Sequence, residues 1–245
     1  MINSIILAGK SEKKLKGKYT KALVNINGKP MISYVIKALK ESGVVDKIVV
    51  IGDRDEINKE ALEDVEFVIQ DRGSIIDNVI AGVDYFKEDS MILISTCDIP
   101  LLTGEAVYDF VKKSLESKAD VCYPIIEKSV CLEKYPEAIR TYAKLKDGYF
   151  TGGNLILINP KVLDRCIVKA KQMIEYRKNP VKMSKVLGFT FLLKLVIGRL
   201  TIESAEKRVS KILRLKPKAI ITPYPEIGND VDKLEDLNMA EKYLS

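Results

Sequence analysis

The chain has 245 residues, enough to bury a full core as one large α/β domain or as a domain carrying an inserted subdomain, and the second arrangement is the one expected. With 47% hydrophobic and 30% charged residues and no repeat or low-complexity tract, the composition is that of a soluble globular protein. A net charge of +6 favours an anionic partner, but the few aromatic residues are not interleaved with the basic ones and no nucleic-acid motif occurs, so a polymeric nucleic acid is set aside.

The apolar run that begins at Ile2 ends in small residues at Ala8-Gly9 and opens onto a lysine-rich loop, Lys10 to Lys18. This is the pattern of a buried first strand leading into an anion site, where bulky side chains at Ala8 and Gly9 would hold the backbone away from a ligand. Pro30 suits a first helical turn, and Ile32, Val35, Ile36 and Leu39 then recur at helical spacing. Lys47 to Ile51 and Phe67 to Gln70 read as buried parallel strands, and Ser74 as the N-cap of a helix ending near Phe86.

Met91 to Ile94 is the next strand, and it runs into Cys97-Asp98-Ile99-Pro100. A carboxylate just past the C-terminal end of a central parallel strand lies at the mouth where such sheets bind ligands. A helix from Thr103 to about Ser117 and a strand from Ala119 to Ile126 follow, then a loop around Tyr135-Pro136. Ala138 to Lys146 and Tyr149 to Asn159 are expected to pair as a hairpin about Asp147-Gly148, which makes the sheet mixed. Within the second arm, Thr151-Gly152-Gly153-Asn154 interrupts the strand, either as a close ligand approach or as a β-bulge.

Three helices are expected over Lys161 to about Lys178, Lys182 to Ile197 and Thr201 to Leu215. In the second, Val186, Leu187, Phe189, Phe191, Leu192, Leu193, Leu195, Val196 and Ile197 are too apolar for a solvated helix and are expected to bury against the other two helices, a second subunit or a membrane surface. The run is too short to span a bilayer, which needs about 20 residues. Ala219 to Thr222 returns as a last strand, and Gly228-Asn229-Asp230-Val231-Asp232 precedes a closing helix from Leu234 to Leu244, with Glu235 and Asp236 as its first-turn acids. The four cysteines show no Cys-x-x-Cys spacing and the chain has no histidine, so neither a zinc site nor a Cys-His nucleophile is expected, and a strand starting at Ile2 with no leader points to the cytoplasm.

Leu7-Ala8-Gly9, the basic loop, Lys21-Ala22-Leu23 and Gly28-Lys29-Pro30-Met31 resemble the signature of the MobA-like nucleoside-triphosphate transferases, nucleotidyltransferases of GT-A-type fold. Lys10 stands where that signature carries a second glycine, and lysines replace its loop arginine. The resemblance implies a Rossmann-like three-layer α/β/α fold with a mixed, mainly parallel sheet, formed by residues 1–160 and 216–245, with 161–215 as a helical insertion that caps the acceptor site or forms an interface. It also implies residue roles. Leu7, Ala8, Gly9, Lys10, Lys14, Lys21, Gly73, Ser74, Asn78 and Asp98 would bind the nucleotide; Lys21 would sit at the α-phosphate and share the catalytic role with Asp98. Gly152, Gly153 and Asn154 would face the acceptor.

Asp98 with Asp230 and Asp232 offers hard oxygen ligands for Mg²⁺, which takes one or two protein carboxylates. Their meeting rests on the resemblance of Cys97-Asp98-Ile99-Pro100 to the family's metal-binding strand end and of Asp230 to Leu237 to its closing motif, with Lys233-Leu234 in place of Thr-Pro. The expected function is Mg²⁺-dependent transfer of a nucleoside monophosphate from a triphosphate to a small, phosphorylated acceptor. A glycosyltransferase using a nucleotide sugar and a non-catalytic nucleotide-binding protein are the alternatives. The partners are then a nucleoside triphosphate and a small acceptor, with a homodimer through the insertion and a membrane contact as further readings.

Overall fold

The computed structural model describes residues 1–10, 15–17, 20–60, 62–176 and 179–245. The strands are β1 (Ile2–Ala8), β2 (Asn25–Ile26), β3 (Lys29–Pro30), β4 (Val45–Gly52), β5 (Phe67–Gln70), β6 (Ile92–Thr96), β7 (Val121–Glu127), β8 (Ala143–Leu145), β9 (Gly148–Gly152), β10 (Leu155–Ile158) and β11 (Pro217–Ile221). The helices are α1 (Met31–Glu41), α2 (Arg54–Ile57), α3 (Ile75–Tyr85), α4 (Gly104–Glu116), α5 (Lys128–Lys134), α6 (Leu163–Tyr176), α7 (Pro180–Leu187), α8 (Phe189–Val196), α9 (Ile202–Leu213) and α10 (Leu234–Tyr243).

Among the described residues the main sheet runs β5-β4-β1-β6-β10-β7-β9-β8, with β11 on β7. β5, β4, β1 and β6 are parallel; β10 is antiparallel to β6 and β7, and β9 to β7 and β8, so the sheet is mixed. The near-continuous apolar runs of β1, β4 and β6 follow from burial on both faces. On one face Ile6, Val50 and Leu93 meet Val35, Leu39, Val107 and Phe110 of α1 and α4. On the other, Ile5, Val49, Ile51 and Ile94 meet Val83 of α3 and Leu163 and Cys166 of α6. This is a three-layer α/β/α fold.

A third cluster joins Leu15, Ile26 and Met31 to Val231, Leu237 and Ala240, and so fastens α10 over the N-terminal loop region. Thr103 and Ser74 cap α4 and α3 through their hydroxyls. No helix is long and apolar enough to cross a membrane among the described residues.

Three sequence expectations are revised. Lys128–Lys134 forms the helix α5, over which the sequence carries no expectation, ahead of the expected loop at Tyr135-Pro136; the first arm of the hairpin, expected over Ala138 to Lys146, pairs only over Ala143–Leu145. The single helix expected over Lys182 to Ile197 is two, because Gly188 adopts φ +91 and its N–H closes the end of α7 on the Ser184 carbonyl. The apolar stripe in this segment is only partly buried within the chain: Val186, Leu187, Phe191, Leu192 and Leu195 are half-buried, whereas Phe189 is 73% exposed and Val196 81%. α8 packs along β8, and the junction after it is held at the hairpin turn, where Lys146 donates to the Leu200 carbonyl and the Asp147 carboxylate accepts from the Ile202 N–H.

Candidate active site

The C-terminal ends of β1 and β6 place Ala8-Gly9 and Asp98 side by side, because the Cys97 N–H donates to the Leu7 carbonyl at 3.2 Å. The closing segment is fastened to the same edge by the Val231 N–H, which donates to the Asp98 carbonyl at 2.8 Å. That bond brings Asp98, Asp230 and Asp232 into one neighbourhood. Lys21, in a 3-10 turn at Lys21–Leu23, reaches in to bridge them, with its Nζ 3.2 Å from Asp98 Oδ2 and in closer contact with Asp232 Oδ1. Burial works against the Lys21 charge, yet Asp98 and Asp232 raise its pKa above the usual value, so it is a fixed cation at neutral pH.

Asp98 Oδ1 is buried and has no hydrogen-bond partner, an exception that buried carboxylate oxygens rarely show. Asp230 is partly buried, and its pKa is raised by burial and by the charges of Asp98 and Asp232, against the pull of Arg140. Arg140 Nη1 lies 3.3 Å from Asp230 Oδ1 and 3.4 Å from Asn229 Oδ1. Three carboxylates here face two cations, leaving an excess negative charge. No three side chains of metal-binding type converge tightly enough to enclose an ion by themselves among the described residues.

The loop after β1 is braced on the opposite side. Asp71 accepts from the backbone N–H groups of Lys10 (3.1 Å) and Gly73 (2.9 Å) and from Asn78 Nδ2 (2.8 Å). A side chain at Gly9 would meet Asn78 and Asp71 at 3.0 to 3.3 Å, so this glycine is dictated by the close approach of loop and helix. Asn78 therefore sits beside Gly9 and accepts from the Arg72 N–H, while Ser74 caps α3. The Lys10 ammonium pairs with Asp53 at 2.9 Å, and this raises the Lys10 pKa and lowers that of Asp53. Lys14 and the neighbouring Lys13 and Lys18 lie outside the described residues.

On the far side, Gly152 to Asn154 link β9 to β10. The Gly153 N–H donates to the Pro124 carbonyl, the Asn154 N–H to that of Ile227, and the Asn154 carbonyl accepts from Thr96. A side chain at Gly153 would strike Ile227 Cγ2 at 2.6 Å, and one at Gly152 the Tyr123 hydroxyl. Chain packing therefore accounts for Gly153, while Gly152 lies against a phenol that is itself partly exposed. Cys97, next to Asp98, is buried and its thiol is pushed well up by that burial, which removes it as a nucleophile.

Sequence reasoning missed Arg140, Asp71 and the buried Glu226, which accepts from Lys134 at 3.1 Å and from Thr103 Oγ1 at 3.2 Å and holds the turn before Asp230. Arg140 and Glu226 act through partners 89 to 123 residues away, which no local pattern marks, whereas Asp71 combines a local bond to Gly73 with one to Lys10, 61 residues away.

A mixed sheet whose parallel edge presents backbone amides, a fixed cation and clustered carboxylates defines a nucleotide-handling α/β protein of the nucleotidyltransferase type. Comparison with known sequences agrees: the chain belongs to the MobA-like NTP transferase domain family, whose profile matches residues 4–182. That span runs through α6, into the segment the sequence sets apart as an insertion. The bifunctional protein GlmU of Caldanaerobacter subterraneus is 32% identical over 120 residues, covering 48% of this chain and 26% of that protein. A 3-deoxy-manno-octulosonate cytidylyltransferase from Wigglesworthia glossinidia brevipalpis is 31% identical over 123 residues, covering 46% of this chain and 50% of that one. The chain thus spans between a quarter and a half of the length of these curated relatives.

Among solved structures, a hypothetical transferase from Thermus thermophilus superposes with a TM-score of 0.88 at 35% identity, over 96% of this chain and 99% of that one. A CMP:2-keto-3-deoxy-manno-octonic acid synthetase complexed with CTP superposes with a TM-score of 0.64 at 14% identity, over 100% of this chain and 98% of that one, and shares the fold.

Proposed function

We propose that the chain transfers a nucleoside monophosphate from a nucleoside triphosphate to a small phosphorylated acceptor, releasing pyrophosphate. The observation that carries this reading is the Lys21–Asp98 pair at the sheet edge, closed from above by Asp230 and Asp232 through the Val231 bond. In this reading an acceptor phosphate oxygen attacks the α-phosphorus in line, and the bond from that phosphorus to the bridging oxygen of pyrophosphate breaks. A phosphate acceptor is already ionised at neutral pH, so a chain without histidine needs no proton-abstracting base.

The Ala8-Gly9 loop and the Gly73-Ser74 turn, braced together by Asp71, receive the nucleotide, with Leu7 at the end of β1, Lys10 after it and Asn78 beside Gly9; Lys14 is assigned to the nucleotide by the family resemblance alone. Lys21 balances charge that builds on the α-phosphate as the transition state forms. Gly152 to Asn154 border the acceptor. The unpartnered Asp98 Oδ1 and the surplus carboxylate charge fit Mg²⁺, held by Asp98 with Asp230 or Asp232 and completed by phosphate oxygens. When bound, the ion supplies further charge compensation for the departing pyrophosphate. A glycosyltransferase is less well supported, because Asp98 is followed by the fully buried Ile99 and offers no second carboxylate at the strand end.

The test is to incubate the protein with each nucleoside triphosphate, Mg²⁺ and pooled sugar and alcohol phosphates, and to follow pyrophosphate. Acceptor-dependent release supports the reading. Binding without release overturns it in favour of a nucleotide sensor, and nucleoside diphosphate release from a nucleotide sugar in favour of glycosyl transfer.

A further inference from the structure

The segment after α6 combines two properties that no part of the site uses. Phe189, Leu193 and Val196 of α8 recur at i, i+4 and i+7 and so form one stripe, exposed at 73, 48 and 81%, with Ile197 at 48% beside it. Between Glu175 and Glu203 the sequence has no carboxylate at all, while six lysines and arginines fall there, among them the exposed Lys182, Lys185, Lys194 and Arg199. Residues 161–215 as a whole hold 14 Lys and Arg against 4 Asp and Glu, a net of +10 in a chain of +6, so the remainder is net negative at −4.

On the α8 wheel Thr190 and Lys194 lie about 100° from the stripe. They border a cleft of about 240 Å³ that also takes in Ser204 and Arg208. An apolar ridge flanked by cations and hydroxyls is the pattern of a helix lying in a membrane interface.

We propose that α8 and its flanking cations dock this protein on an anionic lipid surface, with Phe189, Leu193 and Val196 entering the acyl boundary and Lys185, Lys194 and Arg199 at the phosphate level. Charge decides between this occupant and a second copy of the chain. A two-fold contact through the stripe would bring the same lysines of both copies together with no carboxylate between them, whereas anionic headgroups answer every one of them. At eight residues α8 lies in the plane and does not span the bilayer. None of these residues belongs to the site described above, so the inference stands apart from the transfer reaction.

The chain has no tryptophan, which makes Phe189→Trp a single reporter at the centre of the stripe. Mixed with vesicles of phosphatidylcholine containing roughly one third phosphatidylglycerol, this variant is expected to show a blue-shifted emission that pure phosphatidylcholine does not produce and that raised salt reverses in part. In co-sedimentation, Lys194→Glu with Arg199→Glu should weaken partition roughly fivefold per cation removed, and Phe189→Ser with Val196→Ser by about tenfold or more.

Unshifted emission and no pelleting with anionic vesicles overturn the proposal, as does equal binding to neutral ones. A concentration-dependent dimer in light scattering that Phe189→Ser with Val196→Ser dissolves, without vesicle binding, assigns the stripe to a second copy and also overturns it. The emission readout is independent of catalysis, and the substituted positions are exposed, so the fold is expected to tolerate them.

Discussion

The sheet edge and the α7–α8 segment handle charge and apolar surface in opposite ways. At the edge the charges are held in pairs, Lys21 with Asp98 and Asp232, Asp230 with Arg140, Lys10 with Asp53 and Glu226 with Lys134, and a surplus of carboxylate charge remains. In the α7–α8 segment cations crowd together without acids, and large apolar side chains face solvent. A charge that is paired and partly desolvated is held in place and does directional work; a charge left in water is adjustable and acts through its field. The first arrangement suits a reaction centre and the second an encounter surface.

The sharpest way to break the contrast is Asp98→Asn, which keeps the shape of the edge and removes its central charge. Turnover is expected to fall by roughly a thousandfold, about 4 kcal/mol of transition-state stabilisation, with the melting temperature nearly unchanged. Retained pyrophosphate release at saturating Mg²⁺ would remove Asp98 from the chemistry. Lys21→Ala should cost roughly a hundredfold, about 2.7 kcal/mol, mostly in kcat, since the charge it answers develops in the transition state. A change confined to KM would make it a ground-state phosphate contact instead.

Packing supplies the next comparison. Leu163→Ala in α6 opens the second core cluster and should destabilise the fold by about 2 kcal/mol, whereas Leu193→Ala in α8, 48% exposed, should change stability by less than about 0.5 kcal/mol. Denaturant melts of the two variants measure the difference directly, and equal losses would mean that α8 is buried in solution.

The smallest effect is expected at Asp230. Its raised pKa means that the folded state holds the proton more tightly than the unfolded chain. The ionised group therefore opposes folding above its folded pKa, and that opposition is lost as pH falls through the folded value toward the unfolded one near 4. Asp230→Asn should therefore raise the melting temperature at pH 7 slightly. The gain should vanish below about pH 4. A gain that persists in acid would locate the strain elsewhere.

How much of this was legible in the sequence depends on the reach of each interaction. β1, β4 and β6 announce themselves because burial on both faces demands unbroken apolar runs, and Ser74 because a cap is a contact three residues long. Gly188 was hidden inside an apolar run whose helical spacing continues on both sides of it. α5 went unread because its seven residues bury a single side chain, Cys131, and so carry no periodic signal. At the site, Asp98 was visible from its place at a strand end, and the gathering of Asp230 and Asp232 around it was reached through resemblance and not through spacing. Arg140 left no local trace, since its partners Asn229 and Asp230 are set only when the sheet assembles, and the same holds for the bond from Lys10 to Asp71. The interruption at Gly152-Gly153 was recognised, but the side chains that require it, Tyr123 and Ile227, were not.

The bond from the Val231 N–H to the Asp98 carbonyl joins residues 133 positions apart, and it has a consequence in time as well as in space. Contacts between distant parts of a chain wait for the ordering of what lies between, so the candidate site is among the last features to close. β1, α1, β4 and β6 can gather as the first hundred residues emerge, with Lys21 and Asp98 already neighbours across that sheet. The third and fourth charges arrive only with the final loop. A refolding experiment should therefore recover sheet signal before it recovers nucleotide turnover, and the interval between them is the lifetime of a folded sheet that cannot yet react.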